Sequence, residues 1–92
     1  MEGHRYTLRH PITTHIGDES ETISEVVIRE PRGKDLRALG KVEGNIAQSF
    51  FMMARLTGLE SVQLDALHGF DIGQIGTIIE GFMEPGPPTG ST

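Results

Sequence analysis

Apolar and polar residues alternate from Tyr6 to Ile12: Tyr6, Leu8, His10 and Ile12 fall on one side, Thr7, Arg9 and Pro11 on the other. A period of two predicts a half-buried strand. Pro11 cannot donate to a ladder, so the strand is an edge or ends there. Gly17-Asp18 carries turn chemistry inside a polar stretch, Thr13 to Glu21, that reads as a loop whose turn type stays open. A second strand is expected from Thr22 to Arg29. Val26 and Ile28 share one face and Ile23 falls on the other, so a bulge near Ser24-Glu25 is expected to turn all three inward. Pro31 ends this strand. The hairpin then holds Leu8, Ile12, Val26 and Ile28 against the core, with Arg9 and Arg29 in solvent.

From here the period lengthens. Leu36 and Leu39 share a face of a short helix over Lys34 to Leu39, with Gly40 where a C-cap glycine belongs. A longer helix is expected from about Glu43 to Thr57. Ile46, Phe50, Met53 and Ala54 fall at i, i+4, i+7 and i+8, the inward stripe of a packed helix. Phe51, Met52 and Leu56 lie outside that stripe, and only a wedge around Gln48 and Arg55 is polar. Such a helix is either nearly enclosed or shows an apolar strip to a partner. Gly58 stops it.

Ser61 is placed to cap a short helix from Val62 to Leu67. Asp71, with Gln74 three residues on, makes a variant capping box for a last helix. Its apolar face is Ile72, Ile75, Ile78, Ile79, Phe82 and Met83. Gly73, Gly76 and Gly81 stand opposite, each costing about 0.8–1 kcal/mol of helix propensity relative to Ala. This helix depends on packing or on a partner. Residues 84–92, EPGPPTGST, offer no apolar anchor and are expected to be disordered.

These elements predict an α+β fold: an N-terminal two-stranded antiparallel hairpin, then three or four short helices packed on one of its faces. Ninety-two residues suit one domain, expected over residues 1–83. A hydrophobic share of 36% and no Trp describe a lean core in which the helices supply most of the burial, since a lone hairpin is marginal in water.

Charge narrows the function. The net charge is −5, and it is unevenly placed: residues 42–92 carry one basic side chain, Arg55, against six acidic ones. That half is unsuited to nucleic acid, which needs clustered Lys and Arg. Arg29, Arg32, Lys34, Arg37 and Lys41 form the one basic cluster, interrupted by Glu30 and Asp35. It reads as a solvated face, with contact to a phosphate or an acidic partner as the alternative. There is no Cys, so no disulfide or thiolate zinc site forms. His4, His10, His15 and His68 show no ligand spacing, and no nucleophile elbow or phosphate loop is present. No catalytic, cofactor-binding or metal residue is expected. No apolar run approaches the ~20 residues of a membrane span, and a secretory signal is not expected, since MEGHRYTLRH has no apolar h-region.

The L-x-x-P-I of Leu8 to Ile12, the I-x-E-x-x-I-R-x-P of Ile23 to Pro31 and Asp35-Leu36-Arg37-Ala38-Leu39 recur in a set order. So do Leu56-Thr57-Gly58-Leu59, Leu64-Asp65-Ala66-Leu67 and the D-x-x-x-I-x-x-x-I-x-x-F of Asp71 to Phe82. Over Tyr6 to Met83 this order and spacing resembles the small tail assembly chaperones of Mu-like and related contractile-tailed phages. The resemblance implies a non-enzymatic protein of the bacterial host cytoplasm. It implies that the chain binds the tape-measure protein during tail assembly and is lost from the finished particle. A reversible apolar cover would keep such a long helical client from aggregating. A second copy of the chain is a further candidate partner; membrane and nucleic acid are not expected.

Phe51 and Met52, off the inward stripe, lead as partner-binding residues, because flexible Met suits adaptable surfaces. Phe82 and Met83, at the end of a glycine-weakened helix, come second. The alternatives are a prophage adaptor or regulator that uses the same surface on another protein, or a nucleic-acid regulator that uses the basic cluster.

Overall fold

The computed structural model describes residues 3–83, so the tail expected to be disordered lies outside the described residues. Strand β1 (His4–Ile16) turns through Gly17-Asp18 into β2 (Glu19–Ile28). Helices α1 (Gly33–Leu39), α2 (Asn45–Thr57), α3 (Ser61–Ala66) and α4 (Gly69–Met83) follow. Hairpin first, four helices after: the α+β order is the expected one.

The hairpin is longer than the pattern suggests. Gly17 sits at φ +64°, a conformation that lets the chain reverse within two residues. Thr13 to Glu21 is therefore no loop. Thr13 pairs with Thr22 and Ile16 with Glu19, and the Thr13 and Thr22 hydroxyls are 3.0 Å apart. The register jumps once: Thr7 faces Glu25 and Ile12 faces Ile23, so Leu8 to Pro11 stand opposite Ser24 alone. The bulge is thus on β1, where Pro11 has no N–H to lose, and not in β2 as expected.

Leu8, Ile12, Val26 and Ile28 line the inner face of the hairpin, all buried, as the alternation requires. Helices α3 and α4 cover β1, while α2 packs on β2 and also meets α1, α3 and α4. Met52, Met53, Leu56, Leu64, Leu67, Ile75 and Ile79 complete the core.

Two fully buried aspartates pin these helices to the hairpin. Asp35, in the first turn of α1, accepts two bonds from Arg29 at 2.8 Å each. It also takes one from Arg55 Nε at 2.6 Å and one from the Arg32 N–H at 2.8 Å. The end of β2, the start of α1 and the last turn of α2 meet on this carboxylate. The paired Arg29 guanidinium, backed by Arg32 and Arg55, holds its pKa well below the usual carboxylate range although burial acts the other way. Arg29 therefore faces Asp35 and not open solvent as expected.

Asp71 does the same for α4. Its carboxylate accepts from the Tyr6 hydroxyl at 2.6 Å and from the N–H groups of Arg9 and His10 at 2.9 and 3.0 Å. These two N–H groups lie in the β1 bulge, which explains how the bulge leaves them satisfied. Burial works to raise the Asp71 pKa, yet the three donors together lower it. Helix α4 begins at Gly69, so Asp71 does not cap it with Gln74. The His68 ring takes the cap, its Nδ1 accepting the Phe70 N–H at 3.0 Å. Likewise Glu60, not Ser61, precedes α3, and Gln63 Oε1 reaches back to the Glu60 N–H at 2.8 Å.

Helix α2 is rotated from its expected setting. It starts at Asn45 because Gly44, at φ +100°, ends the preceding loop. Its inward residues are Met52, Met53 and Leu56, whereas Ile46 is 75% exposed and Phe50 and Ala54 are half-buried. The cause is polar: Arg55 must reach Asp35, and the Leu56 carbonyl accepts the Arg29 N–H at 3.0 Å. Apolar residues surround this helix, so those two bonds decide its rotation.

Candidate functional site

A groove of about 330 Å³ opens between α2 and α4, closed at one side by Leu39 at the end of α1. Asn45, Gln48, Ser49, Met52 and Met53 line it from α2, and Gly76, Ile79 and Glu80 line it from α4. Met52, Met53, Ile79 and Gly76 form an apolar floor, and Asn45, Gln48, Ser49 and Glu80 a polar rim. Gln48 is held by its bond to the Val42 carbonyl, 2.7 Å, which also closes the α1–α2 loop.

Gly76 keeps this floor low. A Cβ there would meet the Met53 Cε at 3.8 Å, an ordinary contact, so any longer side chain would project into the groove. Ile46, in the first turn of α2, and Met83, the last residue of α4, are exposed apolar side chains, at 75% and 48%. A concave apolar floor with a polar rim between two helices is a surface that takes a third helix or an extended apolar segment.

The residues singled out from the sequence separate on this geometry. Met52 is buried and reaches the groove only as part of its floor. It is core, in contrast to its expected place off the inward stripe. Phe51 is half-buried on another side of α2, where the Arg55 guanidinium lies 5.7 Å from its ring centre. Phe82 is half-buried against the core and Met83 is exposed. Sequence reasoning missed Ile46, Gly76 and the polar rim. No local signal marks them, because the setting of α2 is fixed by Arg55 and its distant partner Asp35.

Histidines do not gather here. His10 and His68 stack with ring centres 3.9 Å apart at the β1–α4 junction. Among the described residues no three His, Asp or Glu side chains cluster as a metal ion would need. No helix among the described residues is long and apolar enough to cross a membrane.

A family model described as "Phage tail assembly chaperone proteins, E, or 41 or 14" matches residues 5–84. The chain belongs to the phage tail assembly chaperone family. No curated protein and no solved structure matches the chain. Within the chaperone, the segments that carry the family resemblance include most of the scaffold. Leu8, Ile12 and Ile28 are core, Arg29 and Asp35 form one anchor, and Asp71 forms the other.

Proposed function

We propose that the chaperone holds the tape-measure protein in the α2–α4 groove during tail assembly in the host cytoplasm, and leaves before the particle is finished. The reading is one of binding, without catalysis. The observation that carries it is the groove itself, an apolar floor left open between two helices that also carry the exposed Ile46 and Met83, in a protein of a chaperone family. A helical client would lay an apolar stripe on Met52, Met53 and Ile79 and meet the polar rim with its flanks. Phe82 and Met83 extend the contact at the open end of the groove. Phe51 contributes indirectly, by packing against Arg55 where α2 is fixed.

Reversible cover of this kind needs no built-in chemistry, because masking apolar surface is enough to keep a client from aggregating. The test is co-expression of the tape-measure protein with wild-type chaperone or with Gly76→Leu, which fills the groove. Soluble client with the first and aggregated client with the second is the expected result. A Gly76→Leu protein that is folded and still keeps the client soluble would place the binding surface elsewhere.

A further inference from the structure

The eight basic side chains divide into two sets. Arg5 lies 3.7 Å from Glu25, Arg9 lies over the Phe70 ring, and Arg29 and Arg55 are both engaged by Asp35. Arg32, Lys34, Arg37 and Lys41 have no carboxylate within ion-pair distance among the described residues, and all stand on or beside α1. Lys34, Arg37 and Lys41 are exposed and line a shallow hollow of about 430 Å³ with Gly33 and Ala38. Lys34 and Arg37, three apart, share a side of α1, and Lys41, just past its C-terminal Gly40, joins them at the same hollow.

We propose that this face binds an acidic helical segment of the client, next to the apolar stretch held in the groove; the inference rests on the groove reading for who the client is. Carboxylates one helical turn apart on the partner would match the row of cations. Among the described residues Arg5, Arg29 and Arg55 already meet carboxylates and Arg9 lies over a ring, so an acidic segment is attracted to the face that Lys34, Arg37 and Lys41 share with neighbouring Arg32 and repelled by the acid-rich second half. The same imbalance disfavours nucleic acid. Helix α1 is only seven residues long, with Glu30 and Glu43 exposed on either side. A polyanion longer than this patch would run onto carboxylates, whereas one or two turns of acidic helix would not.

The experiment is an NMR amide-shift titration of the full chain with a synthetic helical Glu–Ala peptide that has no large apolar residue. Shifts concentrated in residues 32–41, fading as salt is raised, are expected, and a Lys–Ala peptide should produce none there. The Lys34→Glu, Arg37→Glu, Lys41→Glu variant should keep its spectrum dispersed and bind the acidic peptide about tenfold more weakly, as three exposed ion pairs imply. Absence of shifts at α1, or shifts that survive the triple reversal, overturns the proposal. Stronger salt-dependent shifts at the same residues with a DNA duplex would overturn it in favour of nucleic acid. The probe has no apolar stripe, so failure here leaves the groove reading intact, and that reading fails separately in the Gly76→Leu co-expression test.

Discussion

The Tyr6 hydroxyl donates to the Asp71 carboxylate at 2.6 Å, joining the first strand to the last helix across 65 positions of sequence. Burial, and then this bond, push the Tyr6 pKa up to about 12. Tyr6→Phe removes one donor from a buried ionised group, and stability should fall by about 1.5–3 kcal/mol. Urea unfolding measures the loss, and the Arg9 and His10 amide signals should move with it. An unchanged midpoint would mean that the two backbone N–H groups hold Asp71 by themselves.

Asp35 should make the protein acid-sensitive. Its folded pKa lies below the ordinary 3.8, so on acidification the unfolded chain takes up the proton first. The stabilisation is complete above the ordinary carboxylate range and is lost as pH falls through that range toward the folded value. Asp71 is lowered too and acts with the same sign. Asp35→Ala should cost about 3 kcal/mol at neutral pH, at the low end for a broken buried pair because water reaches both guanidiniums. Asp35→Asn should flatten the fall of the urea midpoint with pH. A wild-type slope in that variant would rule out Asp35 as the source.

Gly73 can be tested as a pure helix-propensity site. A Cβ there meets nothing within 4 Å, and the residue is interior to α4. Gly73→Ala should raise stability by about 0.8–1 kcal/mol. A thermal melt reads the gain. Destabilisation would mean that α4 leaves the helical conformation around this residue.

Surface and core should part along the groove. Ile46→Ser with Met83→Ser changes two exposed side chains, each expected to alter stability by no more than about 0.5 kcal/mol. The double variant should stay folded and lose the ability to keep the tape-measure protein soluble on co-expression. Met52→Ala should instead cost about 2–5 kcal/mol, as a buried truncation does. If Met52→Ala melts like wild type, the floor of the groove is wrongly drawn.

How far the chain announces this structure depends on the element. Strict alternation placed Leu8, Ile12, Val26 and Ile28 correctly, because a strand has only two sides. Thr13, Thr14, Ser20 and Glu21 are polar strand residues that local composition cannot tell from a loop, and only the short turn at Gly17 reveals their pairing. The bulge was assigned to the wrong strand because what stabilises it on β1 is Asp71, a partner far along the chain. Helix α2 shows apolar residues on nearly every side, so its rotation follows from Arg55 and Asp35, whose meeting no local pattern encodes. The groove was hidden for the same reason: it depends on which residues of α2 and α4 are left uncovered after packing.

The two aspartate anchors and the groove share almost no residues. Asp35 and Asp71 act at the hairpin ends of α1 and α4, while Asn45, Gln48, Ser49, Gly76 and Glu80 line a surface that neither anchor touches. Of the signature residues, Arg29, Asp35 and Asp71 belong to the frame, while Leu39 and Ile79 reach the groove but leave its polar rim unspecified. Two chains alike in Arg29, Asp35 and Asp71 can differ freely at the groove rim. On the proposed reading, client choice would be portable: the rim of one chaperone could be grafted onto the frame of another without touching either aspartate anchor.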